Sequence, residues 1–271
     1  MSVHLQLSAA PALRVDLRGI TPAACAGLTV AQIENLPVTH GNQTLPLAEW
    51  FKVTQGAGPA DELILQGDLS RFDRIGWQMT SGTILVDGSV GDYLGGGMSG
   101  GIVVARGNAG VLAACEMAGG SLTVEGSVGD FAASALPGSM DGMRGGTFVV
   151  KGDAGERFAD RMRRGSALVF GNVGDFLASR MVAGTVAIGG SVGAHVGYGM
   201  RRGSVVLAGA APQIATTFVP ALVDAAVFWQ LLARDLARHG GPFAALPSRR
   251  ITRYLGDLGA GGKGELLIVG A

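Results

Sequence analysis

Charge is scarce in this chain. Asp, Glu, Lys and Arg make up 15% of its 271 residues, and the formal net charge is zero. Without a basic excess, nothing in the composition points to nucleic acid. Long apolar runs are absent too: no stretch approaches 18 apolar residues, so no membrane span is expected. The opening MSVHLQLSAAPALRVDLRG lacks a basic start followed by an apolar core and does not read as a signal peptide. Cysteine is limited to Cys25 and Cys115, far apart in sequence, and both are expected to be small reduced core residues rather than a disulfide or metal site. His4, His40, His195 and His239 show no ligand spacing, so no zinc site is expected. Sparse charge on a chain that is 48% hydrophobic favours a protein that lives inside an assembly.

Glycine is what the chain has in excess, with 46 residues. Seven of them, Gly88, Gly107, Gly126, Gly152, Gly171, Gly190 and Gly209, are separated by steps of 19, 19, 26, 19, 19 and 19 residues. A period held that well marks one structural unit stacked on itself. Counting from each leading glycine, offset three is Gly91, Gly110, Gly129, Gly155, Gly174 and Gly193. Offset ten is Met98, Met117, Met143, Met162, Met181 and Met200, and Met79 extends that column into an earlier unit starting near Gly67. Offsets fifteen and seventeen are apolar in every unit, from Val103/Ala105 to Val205/Leu207, with a mixed residue between them. That alternation is the signature of a strand with one buried face. No unit carries a helix-length stripe. A unit of 19 mostly extended residues, cornered by glycine, reads as one coil of a parallel β-solenoid of about seven coils, with equivalent residues stacked about 4.8 Å apart. The glycines are expected to supply positive φ at corners and close backbone approach, and the methionines a flexible interior filler.

The flanks are read as caps, because an open stack end exposes backbone and apolar interior. Residues 1–60 form a small αβ lead-in, residues 61–209 the repeat, and residues 210–271 a helix and tail. In the lead-in, 4–7 and 13–17 read as strands. Thr21-Pro22 is a helix-start signal over 21–28, and 29–36 reads as a second short helix or a strand. The spacing of Leu222, Ala225, Ala226, Trp229, Leu232 and Leu236 predicts a helix over 220–239, with Asp224, Arg234, Asp235 and Arg238 off its apolar face. It is expected to lie along or across the stack. Arg249, Arg250 and Arg253 precede a final strand over 265–269. The third unit carries seven extra residues within 133–142, a loop that is either functional or idle.

Catalytic motifs are weak. Gly95–Gly100 fits G-x-G-x-x-G, but the repeat itself produces that spacing and no helix follows. Gly259–Gly264 lacks the first glycine and the Ser/Thr of a phosphate loop. Asp92, Asp130, Glu156 and Asp175 at offset four supply one acid per unit with gaps, too few for an oxygen cage, and read as solvated corner residues. His195, at offset five beside Tyr93, Leu112, Phe131, Arg157 and Phe176, has no nucleophile or carboxylate placed to make it a base. The feature with most chemical content is arginine: Arg161 and Arg180 at offset nine, Arg144, Arg163 and Arg201 at offset eleven, and Arg164 and Arg202 at offset twelve. Stacking gathers these seven beside the methionine column. They read as a solvated edge, a contact for acidic side chains of a neighbouring protein, or a track for a polycarboxylate. Protein contact is the preferred reading.

The repeat G-x-x-G…M-x-x-G, the opening GDLSRFDRIGWQMTSGTILVDG, the closing RYLGDLGAGGKGELLIVG and the lead-in LPVTHGNQTLPLAEWFKV resemble the C subunit of formylmethanofuran dehydrogenase, above all its variant in the bacterial formyltransferase/hydrolase complex. The same repeat also resembles the C-terminal domain of glutamate synthase. The resemblance implies a right-handed parallel β-helix without catalytic residues, a scaffold in a cytoplasmic complex with the A, B and D subunits. That complex would move a formyl group from tetrahydromethanopterin to a methanofuran-like carrier and release formate. By the same resemblance zinc belongs to the A subunit, and this chain binds no cofactor of its own. The carrier would have a glutamate-rich tail, for which the arginine edge is a candidate track. The alternatives are a component of an archaeal-type molybdenum or tungsten formylmethanofuran dehydrogenase and a glutamate-synthase-like structural domain. A β-helix polysaccharide lyase would need clustered acids in a groove. A hexapeptide acyltransferase would need a six-residue period, which 19 does not accommodate.

Overall fold

The protein is mainly β, with one large sheet that is parallel through most of its width, and few helices. The computed structural model describes residues 1–222 and 225–270. In chain order the strands are β1 (Ser2–Leu7), β2 (Val15–Asp16), β3 (Pro37–His40), β4 (Gln43–Pro46), β5 (Phe51–Gly56), β6 (Glu62–Gln66), β7 (Phe72–Asp73) and β8 (Thr83–Asp87). They continue with β9 (Ile102–Ala105), β10 (Ser121–Val124), β11 (Thr147–Val150), β12 (Ser166–Val169), β13 (Thr185–Ile188), β14 (Arg202–Leu207), β15 (Val219–Pro220), β16 (Ile251–Gly256) and β17 (Lys263–Val269). The large sheet runs β15-β16-β17-β14-β13-β12-β11-β10-β9-β8-β6-β1-β5. Pairing is parallel from β1 through β17 and turns antiparallel only where β5 joins β1 and where β16 and β15 follow β17.

Register follows the repeat. Leu122 pairs with Val103 on one side and with Phe148 on the other, so each unit lies beside the residue one repeat away. A second ladder of single bridges joins Leu69, Val90, Ala109, Val128, Ala154, Val173 and Val192, the offset-two column. Between the ladders lies the core. The apolar pairs at offsets fifteen and seventeen are buried in every unit, as are all seven methionines of the column, none more than 2% exposed. Full burial of each such side chain contributes about 1.5–3 kcal/mol. The seven extra residues leave the register intact: Gly142 donates to Arg161 O and Met143 to Ala133 O, so the loop leaves and rejoins the stack at the same height.

The corners take positive φ at glycine, as expected, and at other residues as well. Glycine does so at offset thirteen, where Gly146 has φ 83° and Gly184 φ 109°. Among the described residues, fifteen that are not glycine also adopt the left-handed region. Tyr93, Leu112, Phe131, Arg157, Phe176 and His195 do so at offset five, and Ala114, Ala133, Ala159 and Ala178 at offset seven. Each costs about 1–2 kcal/mol as an isolated choice. The stack offsets that cost, because the left-handed residues aim their N–H groups along it. Offset five donates to the next unit, as Phe176 N to Ala194 O at 2.8 Å, and offset seven to the previous one, as Ala178 N to Phe158 O at 2.8 Å. At offset three glycine is required by close approach: a Cβ on Gly193 would stand 2.1 Å from Asp175 Oδ1.

In the lead-in, α1 (Pro22–Cys25) starts at Thr21, whose side chain accepts from Ala24 N. The open choice over 29–36 resolves to a helix, α2 (Val30–Glu34), because Thr29 and Gln32 form a reciprocal capping box. Arg14 ties this segment to the repeat through Asp73 and Asp92, and Arg74 through Asp16.

After Gly209 the helix is shorter than its sequence pattern suggests: α3 covers Ala226–Ala237. Pro220 does not start it. Val219 and Pro220 instead pair with Leu255 and Tyr254 at the sheet edge, where a missing N–H is tolerated. Asp224 lies outside the described residues. Trp229, Ala233 and Leu236 of α3, with Phe243 and Leu246, cover the outer face of the sheet at Val149, Leu168, Ala187, Val206 and Leu267. The mixed residue between the two buried strand positions is therefore apolar where α3 covers it. Trp229 Nε1 donates to Arg249 O at 2.8 Å, fixing the helix against the chain that follows.

Candidate functional site

Three features meet around the extra loop of the third unit. The first is the offset-five ladder. Arg157 is sandwiched between Phe131 and Phe176, its guanidinium carbon 5.9 Å and 4.5 Å from the two ring centroids. Phe176 stacks on His195 at 4.7 Å and meets Tyr198 edge-on at 6.2 Å. At the other end Arg74 lies 4.6 Å over Tyr93. Such contacts contribute about 0.5–1 kcal/mol each at exposed sites. Phe131 and Tyr198 nevertheless remain 40% and 59% exposed. His195 is thus a ring in an aromatic stack.

The second element is a cavity of about 370 Å³ beneath the loop, lined by Leu112, Phe131, Leu136, Pro137, Asp160 and Arg161 among others. It joins the aromatic ladder to the third element, the arginine edge. Here the structure pairs what the sequence left as bare charge. Arg180 holds Asp160 in a fork, Nη2 lying 2.9 Å from both carboxylate oxygens. Arg161 stands 3.7 Å from the same Asp160 and donates to Ser139 O at 2.6 Å, anchoring the loop. Arg163 pairs with Asp141, within the loop, and Arg144 lies 3.8 Å from Glu116. Arg164, Arg201 and Arg202 are exposed, and among the described residues none of the three has an ion-pair partner.

Sequence reasoning missed Asp160, a buried carboxylate that organises two of the seven arginines. It is the one carboxylate among Gly96, Cys115, Ser134, Ser179 and Tyr198 at its offset, and no periodic signal marks it. It also missed the acceptor ladders. At offset four, Asp92, Asp130 and Asp175 are not merely solvated: each accepts the N–H one repeat on, from Val111, Glu156 and Ala194 at 2.7–3.0 Å. At offset one Ser89, Asn108, Ser127, Asp153 and Asn172 do the same for Asn108, Ser127, Asp153, Asn172 and Ser191. That column contains only short acceptors, a signal readable beside the leading glycine.

Both cysteines are buried and unbridged. Burial pushes the Cys115 thiol up to about 12 and Cys25 up to about 11, the range of inert thiols. Among the described residues no three His, Cys, Asp or Glu side chains stand together as metal ligands. No helix there is long and apolar enough to cross a membrane.

Fold and surface together define a stacked-repeat β protein whose polar features hold its own units and loop in place. No protein-family model matches the chain. A chain in the crystal structure of the formyltransferase/hydrolase complex FhcABCD from Methylorubrum extorquens, in complex with methylofuran, superposes with a TM-score of 0.92 at 39% identity. The match covers 99% of this chain and 100% of that one. Among curated proteins, the C subunit of the same organism's Fhc complex is 42% identical over 78 residues, 29% of each chain. The C subunit of the tungsten-containing formylmethanofuran dehydrogenase 2 of Methanothermobacter wolfeii is 34% identical over 86 residues, 31% of this chain and 32% of that one. The aligned part spans about a third of the length of these curated relatives. The chain belongs to the C-subunit family of the formyltransferase/hydrolase complex and of formylmethanofuran dehydrogenase.

Proposed function

We propose that this chain is a scaffold, without catalytic residues of its own, in a cytoplasmic formyltransferase/hydrolase complex built with the A, B and D subunits. The observation that carries this is the likeness, end to end and at 39% identity, to a chain of an FhcABCD assembly. That complex would transfer a formyl group from tetrahydromethanopterin to a methanofuran-like carrier and hydrolyse it to formate. Zinc would reside in the A subunit. The division into a lead-in at 1–60, a repeat at 61–209 and a C-terminal helix and tail at 210–271 goes with this reading. So does a right-handed parallel β-helix of about seven coils, supported by the two parallel ladders that advance one repeat per strand.

A second reading, a component of a molybdenum or tungsten formylmethanofuran dehydrogenase, is favoured by the local matches to those enzymes at 34–41% identity. Affinity purification of the tagged native protein separates the two. Recovery of an amidohydrolase-like chain and a formyltransferase, with formate released from a formylated carrier, is expected. A molybdopterin-bearing chain in the eluate moves the assignment to the dehydrogenase, and a chain recovered alone overturns both.

Within the complex the arginine edge serves as a contact for partner carboxylates or the carrier's glutamate tail. The ion pairs narrow it to Arg164, Arg201 and Arg202, since Arg144, Arg161, Arg163 and Arg180 already face carboxylates of this chain. Arg201→Glu is expected to weaken assembly or carrier affinity more than Arg163→Glu does. Equal retention of both by the two variants refutes the edge as a contact.

A further inference from the structure

The last repeat unit is closed on two of its three sides and open on the third. On the sheet side β17 continues the parallel ladder beyond β14. On the methionine side the offset-nine N–H of each unit normally donates to a carbonyl of the next, as Arg180 N to Tyr198 O at 2.7 Å. In the last unit Gly199 N donates instead to Asp257 Oδ2 at 2.9 Å, so a buried carboxylate from the C-terminal segment stands in for the missing unit.

No such substitute exists, among the described residues, at the corner between offsets two and five. In six successive units the offset-two N–H donates to the next unit, ending with Val173 N to Ser191 O at 2.9 Å. In six successive units the offset-five N–H does likewise, ending with Phe176 N to Ala194 O at 2.8 Å. The next donors in these two series, Val192 N and His195 N, have no acceptor among the described residues. Segment 212–216 passes nearby, but it leaves a cavity of about 600 Å³ lined by Val192, His195, Val196, Pro212, Ile214 and Thr216, among others. Val192 is half-buried and His195 exposed, so water meets both donors in the free chain, and they continue a ladder that has already repeated six times.

We infer that this corner is a strand-addition site: an extended peptide segment of another protein of the complex enters the cavity and presents two carbonyls, three residues apart, to Val192 N and His195 N. Main-chain pairing of this kind gives affinity, while flanking pockets give specificity. Ile214 and Val196 supply an apolar wall, and the His195 ring, stacked on Phe176, supplies a flat one. The inference rests on the assembly reading above and names the surface it uses.

Hydrogen exchange resolved to single amides tests it, on the free chain and on the co-purified complex. In the free chain Val192 and His195 are expected to exchange fast while Val173 and Phe176 are protected. In the complex both are expected to slow by about two- to tenfold, the factor one hydrogen bond supplies. Thr216→Trp, on the exposed rim, is expected to leave the free chain's melting temperature unchanged and to abolish that protection. Amides that are slow in the free chain, fast in the complex, or equally protected in the Thr216→Trp complex overturn the inference. Protection of the free chain by an oligoglutamate alone also overturns it, because the occupant is then a small acid. Failure to co-purify any partner sinks the assembly reading and this inference together, whereas a stable complex with fast amides sinks only the inference.

Discussion

Replacing Gly193 with Ala isolates the contact that sets the spacing of the stack. A Cβ there would lie 2.1 Å from Asp175 Oδ1, 2.8 Å from Asp175 N and 2.9 Å from Gly174 C. The carboxylate cannot swing away freely, since it accepts the N–H of Ala194 at 2.7 Å. Overpacking of this kind costs about 1–3 kcal/mol, and displacing the carboxylate adds the hydrogen bond, about 0.5–1.5 kcal/mol. The molecule contains its own control. Gly129 occupies the same offset, but the residue it faces is Val111, and its nearest approaches are all 3.0 Å. Gly129→Ala should therefore cost less, by about 1 kcal/mol or more. Asp175→Ala alone loses one exposed hydrogen bond. Combined with Gly193→Ala it also removes the worst clash, so the double variant should be more stable than the sum of the singles predicts. Urea unfolding followed by tryptophan fluorescence measures all four variants. Additivity within about 0.5 kcal/mol, or equal costs at Gly193 and Gly129, refutes the coupling between glycine and acid.

Met162→Ala should cost about 2–5 kcal/mol and Met162→Leu under about 1.5, read from denaturant midpoints, because the side chain is fully buried in the column. In the folded chain neither Cys25 nor Cys115 should react with a thiol reagent at pH 8, and both should react on unfolding, because burial holds the two thiols protonated. Burial of Asp16 opposes its ionisation, but hydrogen bonds from Arg18 and the charges of Arg18 and Arg74 outweigh this and lower its pKa. A lowered folded pKa gives stability that is present above the ordinary carboxylate value near about 3.9 and lost as pH falls through the folded value. The stability gap between wild type and Asp16→Asn should accordingly be full at pH 6 and shrink below about pH 4, as measured by urea unfolding across that range.

What the sequence makes legible is whatever repeats. The methionine column, the paired apolar positions and the glycines at offset three stand out because each unit meets the same neighbours one period away. The corner conformations were not legible. Tyr93, Leu112, Arg157 and Phe176 share an offset but no single chemistry, and what unites them is a left-handed backbone whose N–H donates to the next unit. Propensity places glycine at such positions, and tertiary pairing overrides it. The flanks show the limit from another direction. Thr29 and Gln32 settle α2 locally through their capping box. Pro220 reads equally well as a helix start and as an edge-strand residue, and only its pairing with Tyr254, 34 residues on, decides.

The arginine edge shows why a column of like charges is a poor guide to a binding surface until its counter-charges are located. Seven arginines within four units suggest a continuous positive track, yet Asp160 alone occupies two of them and Asp141 a third. Asp141 lies in the segment that carries the third unit's seven extra residues, and Arg161 grips the same loop through Ser139 O. Those arginines therefore hold the insertion against the stack, and the insertion in turn roofs the cavity that Phe131 and Leu136 line. A surface contact through this edge has to use the arginines left over, Arg164, Arg201 and Arg202. Two of these belong to the last unit, the same unit whose corner donors, Val192 N and His195 N, lack acceptors among the described residues. The free cations and the open ladder thus fall at one end of the stack, and that end is where a neighbouring protein would find both charge and backbone to pair with.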